Sequence, residues 1–171
     1  MSDFKRRTFI KSAVVAGVAG TTITRPATLL AASDSEYKFE VTRSEAEWRS
    51  MFDEPTYLIL REGRTEVPKT SSLWDDYREG EFQCPGCDLL LYTSKWRANI
   101  TKGWVFFRQS QPNAILLDIG GIIPEGMADR RPEDSTLISC RRCGSHMGHL
   151  VVIRNELIHC INGRSLNFTP A

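Results

Sequence analysis

The chain has 171 residues and a formal net charge of +1, which gives no electrostatic argument for a nucleic-acid partner or an acidic surface. Hydrophobic residues make up 41% and charged residues 25% of the sequence, a composition typical of a folded protein and not of a disordered one. This length predicts one ordinary domain.

The first 32 residues differ from the rest. Basic residues at positions 5–7 precede a mildly apolar stretch over 13–23, and small residues then lead to position 32. These three parts are typical of an export signal, and the run RRTFIK resembles the twin-arginine signal of bacteria. The apolar stretch is shorter than the ~20 residues of a membrane-spanning helix. We expect a signal peptide over 1–32, a linker over 33–40, and a periplasmic or otherwise exported protein without a stable membrane span. A disordered basic tail is the alternative.

Two short helices are predicted next. Over 41–52, Thr42 and the glutamate three residues later, Glu45, have the spacing of a capping box. The segment 54–63 carries Pro55 in its first turn and a glycine after its end, which is typical of a helix.

The pattern after Glu81 is different, because short apolar, β-branched or aromatic runs alternate with turn residues. The stretch 120–135 is rich in turn residues and is predicted to be a long loop. We therefore predict a mainly β, α+β fold, with antiparallel sheets behind an N-terminal helical segment. The runs lie near 81–84, 89–92, 104–108, 115–119, 136–139, 150–153, 157–161 and 166–168.

Four of the five cysteines form two C-x-x-C pairs, a spacing that lets four thiolates converge on a tetrahedral metal ion. A site of four sulfur ligands leaves no open position for substrate, so we predict one structural zinc ion per chain. Two disulfides are the alternative, since an exported protein can form them. The predicted ligands are Cys84, Cys87, Cys140 and Cys143.

The fifth cysteine, Cys160, lies in a predicted hairpin. If Arg154 and Asn155 form a two-residue turn, the register places His149 directly opposite Cys160. A histidine beside a thiol favours the thiolate, the nucleophilic form of cysteine. Strand alternation turns His159 to the other face. The alternative is that Cys160 is a buried small apolar residue and His149 a structural histidine.

Together the segments VTRSEAEWRSM, EFQCPGC, GWVFF, CRRCGSHMGH and HCINGRSLNF resemble the methionine-R-sulfoxide reductase family. The resemblance runs from about Val41 to Phe168 and implies a reductase-like domain over 41–171. It implies the β-sheet fold and the four-cysteine zinc site of the family. It also implies a peptide-methionine (R)-S-oxide reductase, which reduces oxidised proteins or peptides with the help of an external thiol such as a thioredoxin-like protein.

The same resemblance implies roles for five residues. Cys160 matches the family nucleophile, which attacks the sulfoxide sulfur and becomes a sulfenic acid. His146, His149 and Asn162 match the network that donates the proton, and Trp104 matches the aromatic platform for the substrate methyl group. For Trp104, ordinary core packing is the alternative.

Two departures from the family pattern carry expectations. Ile158 stands where the family commonly has an arginine, whose positive charge would favour the thiolate. The sequence contains five cysteines, so with four of them on zinc an external thiol must reduce Cys160. Two further functions remain open on this scaffold: a non-catalytic zinc-stabilised binding module, and a thiol-redox sensor.

Overall fold

The computed structural model describes residues 37–118 and 136–171. In these ranges two helices precede eight antiparallel strands, which form two sheets. This mainly β architecture is the one predicted from the sequence. The elements are α1 (Glu45–Met51), α2 (Glu54–Glu62), β1 (Gly80–Gln83), β2 (Leu90–Thr93), β3 (Val105–Phe107), β4 (Ile115–Asp118), β5 (Leu137–Cys140), β6 (His146–Ile153), β7 (Glu156–Ile161) and β8 (Asn167–Pro170).

The helix ends follow from local capping. The predicted capping box on Thr42 and Glu45 is wrong, because helix α1 is capped by Ser44 and Glu47, which have the same spacing two residues further on. Helix α2 has Pro55 in its first turn, as predicted, and the glycine after its end lies in the left-handed region at φ 70°.

The two sheets meet through aromatic side chains. Strands β2, β1 and β8 form one sheet in that order, and strands β3, β7, β6, β5 and β4 form the other. Phe107 of the larger sheet stacks on Tyr92 at 4.3 Å and meets the edge of Phe82 at 5.0 Å, measured between ring centroids. All three side chains are fully buried, and such burial stabilises a fold by about 1.5–3 kcal/mol per side chain.

The β6–β7 hairpin has the predicted register. Arg154 and Asn155 form its two-residue turn with positive φ angles of 52° and 65°, as a type I′ turn requires. His149 therefore pairs with Cys160. The start of β6 differs from the predicted run over 150–153, because this strand already begins at His146. Pairing with β5 on one side and β7 on the other extends it.

Some sequence-based predictions concern residues that the structure does not describe. The predicted signal peptide and the whole of the predicted loop over 120–135 lie outside the described residues. Of the helices in the described ranges, none combines the length and apolar character needed to cross a membrane.

Candidate functional site

The two C-x-x-C pairs lie in turns that the fold brings together. One pair follows β1, and the other spans the end of β5 and the turn before β6. The four sulfur atoms all lie within 4.8 Å of one another, and none of these cysteines is in a disulfide. The alternative of two disulfides is thus not the arrangement found. The group consists of Cys84, Cys87, Cys140 and Cys143.

The spacing of the sulfur atoms fits a tetrahedral metal ion. Zinc–sulfur bonds of about 2.3 Å at tetrahedral angles separate two sulfur atoms by ~3.8 Å. The structure places the Cys84 and Cys143 sulfurs 3.6 Å apart and the Cys87 and Cys140 sulfurs 3.5 Å apart. The donor set therefore suits a metal that prefers thiolates.

Positive side chains surround this four-cysteine group. Four thiolates around a divalent ion carry a net charge of −2, which nearby cations stabilise. Three guanidinium groups donate hydrogen bonds to carbonyl oxygens of the two turns: Arg43 to Gly86 at 3.0 Å, Arg142 to Cys87 at 3.1 Å, and Arg61 to Cys143 at 3.2 Å. The arginines thus fix the turns and offset the charge of the group.

Cys160 lies in β7, between two neighbouring strands. It pairs with His149 of β6 and with Phe106 of β3. Its side chain is 7% exposed and belongs to a small apolar cluster with Ile158 and Phe106, against which Trp104 packs. The structure therefore brings Cys160, His149 and the Trp104 indole into one neighbourhood, and the pairing of His149 with Cys160 is the one predicted from the hairpin turn.

The three histidines have different environments. His146 is buried, and burial lowers its pKa to about 4, with a further contribution from the nearby charge of His149. The side chain of His149 is half-buried. His159 contacts the hydroxyl of Tyr92 through Nδ1 at 3.1 Å, in the core between the sheets. His159 therefore lies on the face of β7 away from Cys160, as strand alternation predicted.

Asn162 and Trp104 are held by hydrogen bonds. The Asn162 side-chain amide donates to the Met147 carbonyl at 3.2 Å, and its oxygen accepts from the Glu66 backbone N–H at 3.1 Å. The Trp104 indole N–H donates to the Glu66 carbonyl at 3.2 Å. The backbone of Glu66 thus connects two predicted site residues.

The carboxylate of Glu66 was not identified from the sequence. It is 6% exposed and accepts backbone hydrogen bonds from Gly163 at 2.7 Å and Arg164 at 3.0 Å. Burial raises its pKa, while these hydrogen bonds act in the opposite direction. No local motif marks this residue, because its partners lie nearly one hundred positions away in the chain.

The fold and site define a β domain in which a cysteine pairs with a histidine of the neighbouring strand and in which, separately, four thiols are able to hold a metal. The SelR domain family matches residues 52–170. Peptide methionine sulfoxide reductase B3 of Arabidopsis thaliana is 35% identical over 136 residues, which cover 77% of this chain and 72% of that protein. Peptide methionine sulfoxide reductase MsrB of Agrobacterium fabrum is 32% identical over 135 residues, which cover 77% of this chain and 94% of that protein. The chain belongs to the SelR-domain family, that of the B-type peptide methionine sulfoxide reductases.

Proposed function

We propose that this protein reduces the R epimer of methionine sulfoxide in peptides or proteins to methionine, with Cys160 as the nucleophile. The observation that carries the proposal is the β6–β7 register, which sets His149 across from Cys160. A histidine at that position can take the thiol proton and pass it on. Membership of the family supports the same enzyme class.

Trp104 orients the substrate. The methyl group beside the polarised sulfur of a sulfoxide is slightly positive and suits the face of an aromatic ring. The indole N–H is committed to the Glu66 carbonyl, which fixes the plane of the ring. Trp104 packs against the apolar cluster that contains Cys160. A sulfoxide with its methyl group on this ring would present its sulfur to the thiolate.

The chemical step transfers one oxygen atom. The Cys160 thiolate bonds to the sulfoxide sulfur, and His149 delivers a proton to the sulfoxide oxygen. The hydroxyl group then passes to the Cys160 sulfur while the bond between the two sulfur atoms and the substrate S–O bond break, which releases methionine. Cys160 becomes a sulfenic acid, oxidised by two electrons, and the substrate sulfur is reduced by two electrons to the thioether of methionine. His146 remains neutral near pH 7, because burial holds its pKa at about 4. It acts as a hydrogen-bonding neighbour, and Asn162 holds the adjoining backbone in place.

An external thiol completes the cycle. The sequence has five cysteines, and four of them converge on one another. A thioredoxin-like dithiol or two small thiols would convert the sulfenic acid back to the thiol, yielding a disulfide and water. We expect no internal disulfide to Cys160 after oxidation without reductant. Detection of such a bridge by mass spectrometry would contradict this part of the proposal.

The metal held by the four-cysteine group is zinc. Zinc would join the two turns and play a structural part, because four thiolates leave no open coordination position. Elemental analysis of the purified protein should give one equivalent of zinc. Less than half an equivalent, with none of these four thiols titratable, would contradict the assignment.

The decisive experiment compares both epimers of a methionine-sulfoxide peptide with a dithiol as reductant. Wild type should turn over the R epimer, and Cys160→Ser should not. The histidines offer a matched pair of variants: His149→Asn should lower turnover strongly, whereas His159→Asn, on the other face, should retain it. Epimer-selective binding without turnover would favour the binding module. Rapid oxidation of Cys160 by peroxide, with neither turnover nor epimer-selective binding, would favour the thiol-redox sensor.

Residues 1–32 act, in this proposal, as a twin-arginine export signal that takes the folded protein to the bacterial periplasm. The support is the order of basic, apolar and small residues in the sequence. Expression of the full chain in a bacterial host should give a processed periplasmic form. Replacement of Arg6 and Arg7 by lysine should retain the precursor in the cytoplasm. Equal export of the wild-type chain and the lysine variant would refute the assignment.

A further inference from the structure

Glu66 lies at the centre of a hydrogen-bonded network beside the proposed reaction site. It belongs to the connection between α2 and β1, and its side chain is 6% exposed. Its carbonyl accepts from the Trp104 indole at 3.2 Å, and its N–H donates to the Asn162 side chain at 3.1 Å. One residue thus binds two groups that flank different strands of the larger sheet, one just before β3 and one just after β7.

The carboxylate of Glu66 closes the turn that follows Asn162. Its two oxygens accept from the Gly163 and Arg164 backbone N–H groups, at 2.7 and 3.0 Å. This turn has little room, since a Cβ atom added at Gly163 would lie 1.9 Å from the hydroxyl of Ser71. The carboxylate therefore determines the path of the backbone where it leaves β7, the strand that carries Cys160.

The same connection also holds the backbone beside Trp104. The Lys69 N–H donates to the Gly103 carbonyl at 2.8 Å. Gly103 has a φ angle of 97°, and an added Cβ atom there would lie 2.8 Å from the Cβ atom of Pro68. Residues 66–69 are thus closely fitted to Gly103 and Trp104. A shift of this segment would carry the indole with it.

We propose that Glu66 is a positioning residue. Its carboxylate holds the turn after Asn162 against the segment 66–69, and this segment orients the Trp104 indole relative to Cys160. This inference rests on the proposed reductase function. A displacement of about 1 Å in a reacting geometry can cost about 100-fold in rate. The carboxylate acts through other groups and has no direct contact with the substrate.

The test uses Glu66→Gln in the full chain, with the exposed Glu79→Gln as matched control. Glutamine keeps the size of the side chain but replaces one acceptor oxygen by an N–H₂ group that faces a backbone N–H. We expect kcat/KM for the R-sulfoxide peptide to fall roughly 10- to 100-fold. The indole N–H resonance of Trp104, assigned with Trp104→Phe in ¹⁵N-tryptophan-labelled protein, should move. The control should change neither quantity.

Two results would overturn the inference: an unchanged kcat/KM, or a loss of activity with an unmoved Trp104 resonance, which would indicate a purely structural role. If Glu66→Gln does not fold, Glu66→Asp keeps the charge but shortens the reach, and the same two readouts apply. If wild type shows no turnover, the proposed function fails. The Trp104 indole resonance and the binding of each sulfoxide epimer then still test whether Glu66 positions the indole.

Discussion

Strand β6 leaves no room for a side chain toward β7 at Gly148, next to His149. A Cβ atom added at Gly148 would lie 2.0 Å from the Cys160 carbonyl oxygen and 3.0 Å from the Ile161 Cα atom. Both are backbone atoms, so no flexible side chain can move aside. Gly148→Ala should therefore separate the two strands next to Cys160.

The expected magnitude follows from this distance. Even a close carbon–oxygen contact needs about 3.3 Å, so the strands must move apart by roughly 1 Å at this point. Overpacking costs about 1–3 kcal/mol, and each strained or broken ladder hydrogen bond adds about 1 kcal/mol. We expect Gly148→Ala to lower the free energy of unfolding by about 3 kcal/mol and turnover by about 100-fold.

Urea unfolding followed by circular dichroism, together with turnover of an R-sulfoxide peptide, measures both effects. Gly63→Ala is the control. Gly63 has a φ angle of 70° but open space around its Cα atom, so alanine should cost about 1 kcal/mol through backbone strain alone. The reasoning is refuted if Gly148→Ala unfolds within about 0.5 kcal/mol of wild type, or if its turnover equals that of Gly63→Ala.

Three further predictions concern other parts of the molecule. Tyr92→Phe removes the hydroxyl that contacts His159 and should cost about 1–2 kcal/mol in urea unfolding with kcat unchanged; a large loss of kcat would contradict the separation of the two strand faces. Burial lowers the pKa of His146 from 6.5 to about 4, so the unfolded chain binds the proton first as the pH falls. The free energy of unfolding should then drop by about 3 kcal/mol between about pH 7 and pH 4, and His146→Gln should lack this component; identical pH curves would disprove it. Chelation of the metal under reducing conditions should lower the melting temperature more than any substitution above, and added zinc should restore it; an unchanged melting temperature in the metal-free protein would count against a structural role.

Much of the β region could be predicted because its signals are local. The two-residue turn at Arg154 and Asn155 fixed the register of the hairpin, and with it the pairing of His149 and Cys160. The spacing of the cysteine pairs likewise predicted their convergence. Such patterns depend on neighbours in the sequence, which is why sequence reasoning could use them.

Other features depend on distant partners and could not be predicted in this way. Thr42 and Ser44 are each followed three residues later by a glutamate, so spacing alone could not identify the cap of α1. The early start of β6 at His146 comes from pairing with its neighbours, since the predicted apolar run begins only at position 150. Glu66 has its partners more than thirty residues away. Only the folded chain identifies it.

The four-cysteine group also implies an order of events during the making of this protein. It joins a turn of the smaller sheet to the turn from which β6 begins, and Cys143 lies only three residues before His146. The strand that supplies His149 therefore starts at the turn that carries Cys143. Under the proposed function, we expect a newly made chain to bind its metal before Cys160 becomes reactive, so that metal loading precedes activity.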